Sequence, residues 1–422
     1  MNSDLPALPL PDTPAGHAVR QIAELIRSRN GRALLAGGGV RDLLSGRALK
    51  DFDLEVYGLD AETLLQTVGE RFPLDTVGMS FGVIKIRHLP IDIALPRREN
   101  KTGAGHRGFM ITTVPDLSYA EASARRDFTV NAMMCDPLTG EIIDPHNGRA
   151  DLEKKILRHV SCHFSEDPLR VLRGMQFIAR FGFTPAPETV AECRNLSQTE
   201  LAPERIGDEW DKFLLHGVHQ VSAIQFLRDT NWLRFYPELA ALPGSFLDAV
   251  ADALEIAAQN RTGNDADDRL VAAAILCRYL TEEEASAFLA GIWRRNDLQK
   301  KAIRLARHSE IPAGPLPEDR SLRRTALAVE RMDLLAWAAE AFFPAHDDAL
   351  KQFRDRCHHL NIWQTPPSPI LQGRHLIACG IRPGKNMGKI LEKCFDAQLD
   401  GAFADEDGAL AFLKNMNPLP ED

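Results

Sequence analysis

The sequence predicts an α+β fold, with an N-terminal mixed-sheet head followed by all-α segments. Three observations predict it. Period-two alternation of apolar residues is confined to the first third of the chain, and helical periodicity dominates from about Asp151 onward. Between two early strands lies a glycine turn, Gly37-Gly38-Gly39-Val40-Arg41-Asp42, followed nine residues later by Asp51-Phe52-Asp53.

Residues 17–29 read as an amphipathic helix through Val19, Ile22, Leu25 and Ile26, and Ala33–Ala36 as a short strand entering the glycine turn. Further strands are expected at 51–57, 82–87 and 90–95, the last two joined tightly through His88-Leu89-Pro90. Arg97–Gly108 mixes four basic residues with three glycines and reads as a mobile basic loop. Beyond Asp151 the helical pattern is broken by Pro/Gly clusters near 184–187, 243, 312–317 and 366–373, and Pro366-Pro367-Ser368-Pro369 makes a natural linker.

The length of 422 residues exceeds what one core normally supports, so three or four domains or subdomains are expected. No stretch approaches the roughly 20 apolar residues of a membrane span, and the proline-rich start lacks the basic region of a signal peptide. Seven scattered cysteines without a C-x-x-C pair predict free thiols in a reducing cytoplasm and no regular zinc site. The net charge of −9 argues against nucleic acid only if spread evenly. Instead, basic residues cluster at 294–308 and 351–393, which favours a polyanion partner over two merely solvated helix faces.

The glycine turn suits phosphate oxygens, because glycine lets the backbone approach closely and Arg41 adds charge. On a strand, Asp51 and Asp53 project to one side while Phe52, Leu54 and Val56 face a core. Two such carboxylates can share a divalent metal. Asp92, polar among Ile91, Ile93 and Leu95, is either a third metal-site carboxylate or the wet face of a half-exposed strand.

A second cluster, Arg125-Arg126-Asp127-Phe128-Thr129-Val130-Asn131, offers a guanidinium for a triphosphate and Asp or Asn for ribose hydroxyls, although an exposed basic helix start looks similar. Asp167 with Pro168 forms a helix start, and Arg170 and Arg173 follow in one polar row. A carboxylate beside a guanidinium matches the edge shared by cytosine and adenine, and uracil and guanine present the reverse pattern.

With these motifs in order, the chain resembles the bacterial class II tRNA nucleotidyltransferases of the polymerase β superfamily, which include CCA-adding enzymes and poly(A) polymerases. The motifs read GGGVRDLLSGRALKDFD at 37–53, RRDFTVNAM at 125–133, DPHNGRADL at 144–152, EDPLRVLRGMQFIARFGF at 166–183 and ERIGDEWDK at 204–212. The resemblance implies a nucleotidyltransferase head (1–160), a neck that reads the base (161–220), a body (221–350) and a tRNA-binding tail (351–422). It implies template-independent addition of CCA to the tRNA 3′ end from CTP and ATP, with two magnesium ions and release of pyrophosphate. Asp51 and Asp53 match its metal carboxylates, with Asp92 as a further catalytic candidate. Gly38, Arg41, Arg126, Asp127, Asn131, Asp167, Arg170 and Arg173 form the nucleotide-binding set; Glu204 and Arg205 match the neck motif. In the basic tail, Arg382, Lys385 and Lys389 are the tRNA-contact candidates.

Two departures matter. Gln176 stands where many relatives carry arginine, and the His308 and His346-Asp347 pattern lacks the context of a phosphohydrolase metal site. The competing readings are CC-adding, A-adding or poly(A)-adding enzymes and a non-catalytic tRNA-binding protein. The Arg97–Gly108 segment matches the loop that CC-adding relatives lack, the acidic C-terminus differs from a poly(A) polymerase tail, and the intact Asp51/Asp53 pair disfavours a mere binder beside polyanionic RNA.

Overall fold

The computed structural model describes residues 10–76, 82–101, 109–198 and 201–416. The backbone divides into two compact units, one of Met1–Glu209 with Ser222–Phe235 and one of Trp210–Val221 with Tyr236–Asp422.

The first unit is built on strands β1 (Arg32–Ala36), β2 (Phe52–Tyr57), β3 (Leu74–Asp75), β4 (Val83–Ile86), β5 (Ile91–Ala94), β8 (Met134–Cys135) and β9 (Ile142–Ile143), in the order β3-β4-β5-β2-β1-β8-β9 among the described residues. The sheet is mixed: β2 runs antiparallel to β1 and parallel to β5. Helix α1 (Pro14–Ser28) covers one face, where its Val19, Ile22 and Ile26 share a core with Phe52, Leu54, Val56, Ile91 and Ile93. That burial fixes the strand register, because a one-residue slip of β2 would drive Asp53 and Glu55 into this core. On the other face Leu34, Ala36, Tyr57 and Met134 form a smaller cluster with Tyr119 of α4 (Tyr119–Ser123).

Helix α2 (Gly38–Leu44) leaves β1 through Gly37, and α3 (Ala61–Gly69) follows β2, so both ends of β2 are anchored. Two sequence expectations need correction here. Part of the expected loop at 97–108 is a strand, β6 (Arg97–Lys101), paired antiparallel with β7 (Phe109–Thr113); residues 102–108 lie outside the described set. The region beyond Asp151 is not wholly helical either. After α5 (Gly148–Glu153), β10 (Ile156–Leu157) pairs in parallel with β11 (Thr184–Pro185), sealed when Thr184 N donates to Lys155 O at 2.7 Å. Ala186 N donates in turn to Leu157 O at 3.0 Å, so the donors alternate and Pro185 and Pro187 fall at the positions that need none.

Helix α6 (Leu169–Phe181) opens one residue later than Pro168, with Asp167 Oδ1 still accepting the Leu169 N–H at 3.1 Å. It ends at Gly182, whose φ of 66° is a left-handed cap that glycine takes without strain. Buried Leu169, Leu172, Met175 and Ile178 form its apolar side. Gly174 lies where a methyl group would approach the Phe226 ring at 3.2 Å, so the small residue permits the close packing.

The second unit is helical. Its successive helices include Gly244–Gln259, Asp265–Leu276, Glu282–Ile292, Asn296–His308 and Met332–Phe342, and a separate C-terminal core gathers Leu376, Ile390, Cys394 and Leu413. Helix Asn296–His308 buries Ala302, Ile303, Leu305 and Ala306 and exposes Lys300, Arg304 and Arg307. Part of its charge is balanced locally, since Lys301 Nζ lies 3.0 Å from Glu330. All seven cysteines are free. Among the described residues, no helix is long and apolar enough to cross a membrane.

Candidate active site

The parallel pairing of β2 with β5 makes Asp53 and Asp92 direct register partners. Side chains of paired residues in adjacent strands emerge on the same face, so the two acids stand together on the face opposite the α1 core. Asp51 precedes the strand on the same alternation, and all three line one open pocket with Lys85. Lys85, the antiparallel partner of Asp92 on β4, donates to Asp92 Oδ2 at 2.6 Å. Burial pushes the Asp53 carboxyl above its ordinary range; Arg126 opposes the rise, Asp92 and Asp51 add to it, and Lys85 opposes it. Asp53 thus sits where a cation is favoured.

Glu55 continues the alternation of Asp51 and Asp53 and was not among the expected site residues. It is buried, and its Oε2 accepts from Arg126 Nη2 at 3.0 Å. The signal was the acidic repeat Asp51-x-Asp53-x-Glu55 itself. Arg126 also approaches Gly37: a methyl group there would fall 2.7 Å from Arg126 Nη1, and Gly37 has φ 75°. Gly37, rather than Gly38, is therefore the turn position that demands glycine. Gly38 has an ordinary backbone and begins α2.

Asp53, Glu55, Asp92, Arg125, Arg126 and Arg170 line a cleft of about 490 Å³. Arg170 donates from Nη1 to His163 O at 2.6 Å and from Nη2 to Arg125 O at 2.5 Å, so two of its five N–H groups lock the guanidinium in place. Asp167 is held differently: its Oδ2 accepts from Arg205 Nη2 at 2.8 Å. The helix Pro203–His216, which carries Arg205, thereby steadies the start of α6.

Asp127, Asn131 and Arg173 sit inward of this cleft. Arg173 grips Asp127 Oδ2 from Nε at 2.8 Å and Nη2 at 2.6 Å, while Asp127 Oδ1 accepts from Phe128 N and Asn131 Nδ2. Burial raises the cost of the Asp127 charge, yet Arg173 and these hydrogen bonds hold its carboxyl below the usual range. Asn131 Oδ1 then accepts from Arg41 Nη1 at 2.6 Å. Arg41, 5% exposed, also holds Asp42 and stacks over Phe177 and Phe181, and it lines a separate pocket with Arg47 and Lys155. The expected nucleotide-binding set is therefore brought together only in part: Arg126 and Arg170 reach the carboxylate cleft, and Arg41, Asp127, Asn131 and Arg173 form a buried polar relay behind it.

Gln176 belongs to the interior. It is 2% exposed and its Oε1 accepts from Arg180 Nη1 at 3.1 Å. Of the tail candidates, Arg382 and Lys389 are exposed, and Lys385 opens the helix Lys385–Leu399. Among the described residues, no group of three His, Cys, Asp or Glu side chains forms a ready-made metal site, so His308 and the His346-Asp347 pair gain no partner for one.

Residues 33–158 match the family model described as the poly A polymerase head domain. The match spans the sheet, the glycine turn and both acidic strands. A multifunctional CCA protein of Xanthomonas campestris pv. campestris is 41% identical over 219 residues, covering 50% of this chain and 52% of that protein. The head of the chain is thus similar to the poly A polymerase head and to the CCA proteins. The corresponding protein of Alkalilimnicola ehrlichii is likewise 41% identical over 221 residues, and the chain spans about half the length of the curated relatives it matches. Its fold is shared over nearly the whole length. The Bacillus stearothermophilus CCA-adding enzyme in complex with CTP superposes with a TM-score of 0.70 at 24% identity, covering 96% of this chain and 98% of that one. The Thermotoga maritima CCA-adding enzyme complexed with tRNA gives 0.66 at 20% identity, covering 94% of each.

Proposed function

We propose that the chain is a class II tRNA nucleotidyltransferase that adds the 3′-terminal CCA to tRNA from CTP and ATP, releasing pyrophosphate. The observation that carries the reading is the register of Asp53 with Asp92 beside Arg126 and Arg170 in one cleft. Relatives named CCA proteins, and neighbours described with CTP and with tRNA, support it.

Magnesium fits the residues present. Asp51, Asp53 and Asp92 line one open pocket and supply hard oxygen donors. Magnesium held by a few carboxylates keeps positions for water and substrate phosphates. Bound there, two such ions would acidify the primer 3′-hydroxyl and neutralise charge on the departing pyrophosphate.

The chain's own groups would position the reactants. Arg126, oriented by Glu55, faces the triphosphate. Arg170, fixed by two carbonyls, offers its remaining N–H groups to an unprotonated ring nitrogen, and Asp167 accepts from the neighbouring exocyclic amine. Cytosine and adenine share that edge, and a uracil or guanine in its place leaves polar groups unpaired at roughly 1–3 kcal/mol each. Arg382, Lys385 and Lys389 are assigned to the tRNA backbone, as cations suit, Arg382 and Lys389 being exposed.

The test is ligand-dependent protection from thermal unfolding. CTP and ATP with magnesium should raise the melting temperature, with UTP and GTP far less effective. Equal protection by all four would remove the claim that protein side chains choose the base.

A further inference from the structure

A second pocket lies away from the carboxylate cleft and shares none of its lining residues. About 340 Å³ in volume, it is lined by Arg41, Arg47, Arg149 and Lys155 with Phe181 and Phe183. Three guanidiniums crowd one ring: the carbons of Arg41, Arg47 and Arg180 lie 4.5, 4.5 and 4.9 Å from the Phe181 centroid. Acid compensation is partial. Arg41 has Asp42, Arg149 has Glu153 at 3.1 Å, and Arg180 has the neutral Gln176 amide. Burial pushes the Arg180 guanidinium below its ordinary range, and the nearby Arg41 and Arg47 charges add to this against Asp42 and Glu209. Lys155 presents itself from a backbone with φ 53°, an uncommon conformation for a non-glycine residue.

The nature of the ligand follows from which surfaces are taken. The Phe181 ring is covered by guanidiniums and Phe183 is 4% exposed, so neither offers a face for base stacking. Guanidiniums with unfilled donor positions match phosphate oxygens. The volume sits at the low end of small-ligand pockets, roughly 300–1,000 Å³.

We propose that this pocket is an anion site for a phosphate group, filled by a backbone phosphodiester of the RNA substrate and read without regard to base. The choice of RNA as source rests on the proposed tRNA substrate. Free inorganic phosphate offers the same chemistry. Arg47 and Lys155 are exposed, so they can be removed without opening the core.

The experiment compares the full-length chain with Arg47→Ala/Lys155→Ala and with Glu153→Gln, which deletes the carboxylate among the lining residues. Binding of a tRNA transcript lacking its CCA end is titrated at several salt concentrations. The double variant should bind about tenfold more weakly, with a log-affinity against log-salt slope shallower by about 1 to 2. Glu153→Gln should bind more tightly. In a second arm, inorganic phosphate should raise the melting temperature of the parent chain but not of the double variant if free anion is the source, with transcript affinity then unchanged. Unchanged transcript affinity and slope together with unchanged phosphate stabilisation would overturn the site, as would a rise in the KM for CTP as the sole effect. A parent chain that fails to bind the transcript contradicts the tRNA reading instead, and the phosphate arm still judges the pocket.

Discussion

Asp53 of β2 and Asp92 of β5 are paired residue for residue across a parallel strand contact, and Lys85 of β4 closes on Asp92 from the next strand at 2.6 Å. Neighbouring carboxylates oppose one another's ionisation. The sheet therefore holds a local excess of negative charge for a purpose other than its own stability.

One consequence is a pH-dependent cost. The Asp53 carboxyl is raised in the folded chain, so the contribution of its protonated form to stability is complete below the ordinary carboxylate pKa of about 4. That contribution is lost as the pH rises through the elevated folded value. Asp53→Asn should then raise the melting temperature at neutral pH and lose that advantage in acid. Magnesium should stabilise the parent chain more than the variant in the same melts, and an equal response would contradict a cation held by Asp53.

Asp127 predicts the opposite sign. Its carboxyl is lowered by Arg173, Asn131 and the Phe128 N–H, so its contribution is present at neutral pH and lost as the pH falls through the depressed folded value. Asp127→Ala leaves Arg173 half-buried without its bidentate partner and should cost about 3–5 kcal/mol in urea unfolding.

Gly37→Ala tests the turn. Its φ of 75° strains any other residue, and a methyl group there would displace the Arg126 guanidinium, whose Nη1 would lie 2.7 Å away. A loss of about 1–3 kcal/mol is expected from backbone strain. Since Arg126 must move from Glu55, the KM for CTP should also rise. Gly46→Ala, also at positive φ but with open space around it, controls for strain alone and should leave that KM unchanged.

Gln176→Arg would restore the residue common in relatives, and it should not help. The side chain is buried against Arg180, so a longer cation adds volume and like charge, and a loss of about 1–3 kcal/mol is expected from overpacking alone. Calorimetry or urea titration decides.

Much of the site was legible because its logic is local. Period-two alternation alone put Asp51 and Asp53 on one face and set Asp92 among apolar neighbours, and the glycine run marked the turn. Pairing was not legible: nothing in the sequence states that β2 lies parallel to β5, so Asp92 stayed undecided between a site residue and a wet strand. Glu55 was hidden by the same face that revealed Asp53, because its burial depends on Arg126 from 71 residues away. That Gly37 is the glycine at positive φ was not legible either, because φ is a property of the folded turn. The polar row of Asp167, Arg170 and Arg173 was read correctly as a sequence spacing, yet each residue takes a different partner: Arg205, two carbonyls and Asp127. The short pairing of Ile156–Leu157 with Thr184–Pro185 was missed because two-residue strands carry no period.

The most direct measurement gives the chain tRNA transcripts ending before CCA, after C or after CC, with CTP, ATP or both and magnesium, and sizes the products on a gel. The account predicts extension by three, two and one nucleotides respectively, with both bases supplied, and no extension by Asp53→Ala, which should still bind the transcripts. A ladder of long A tails, or full activity in Asp53→Ala, would contradict it.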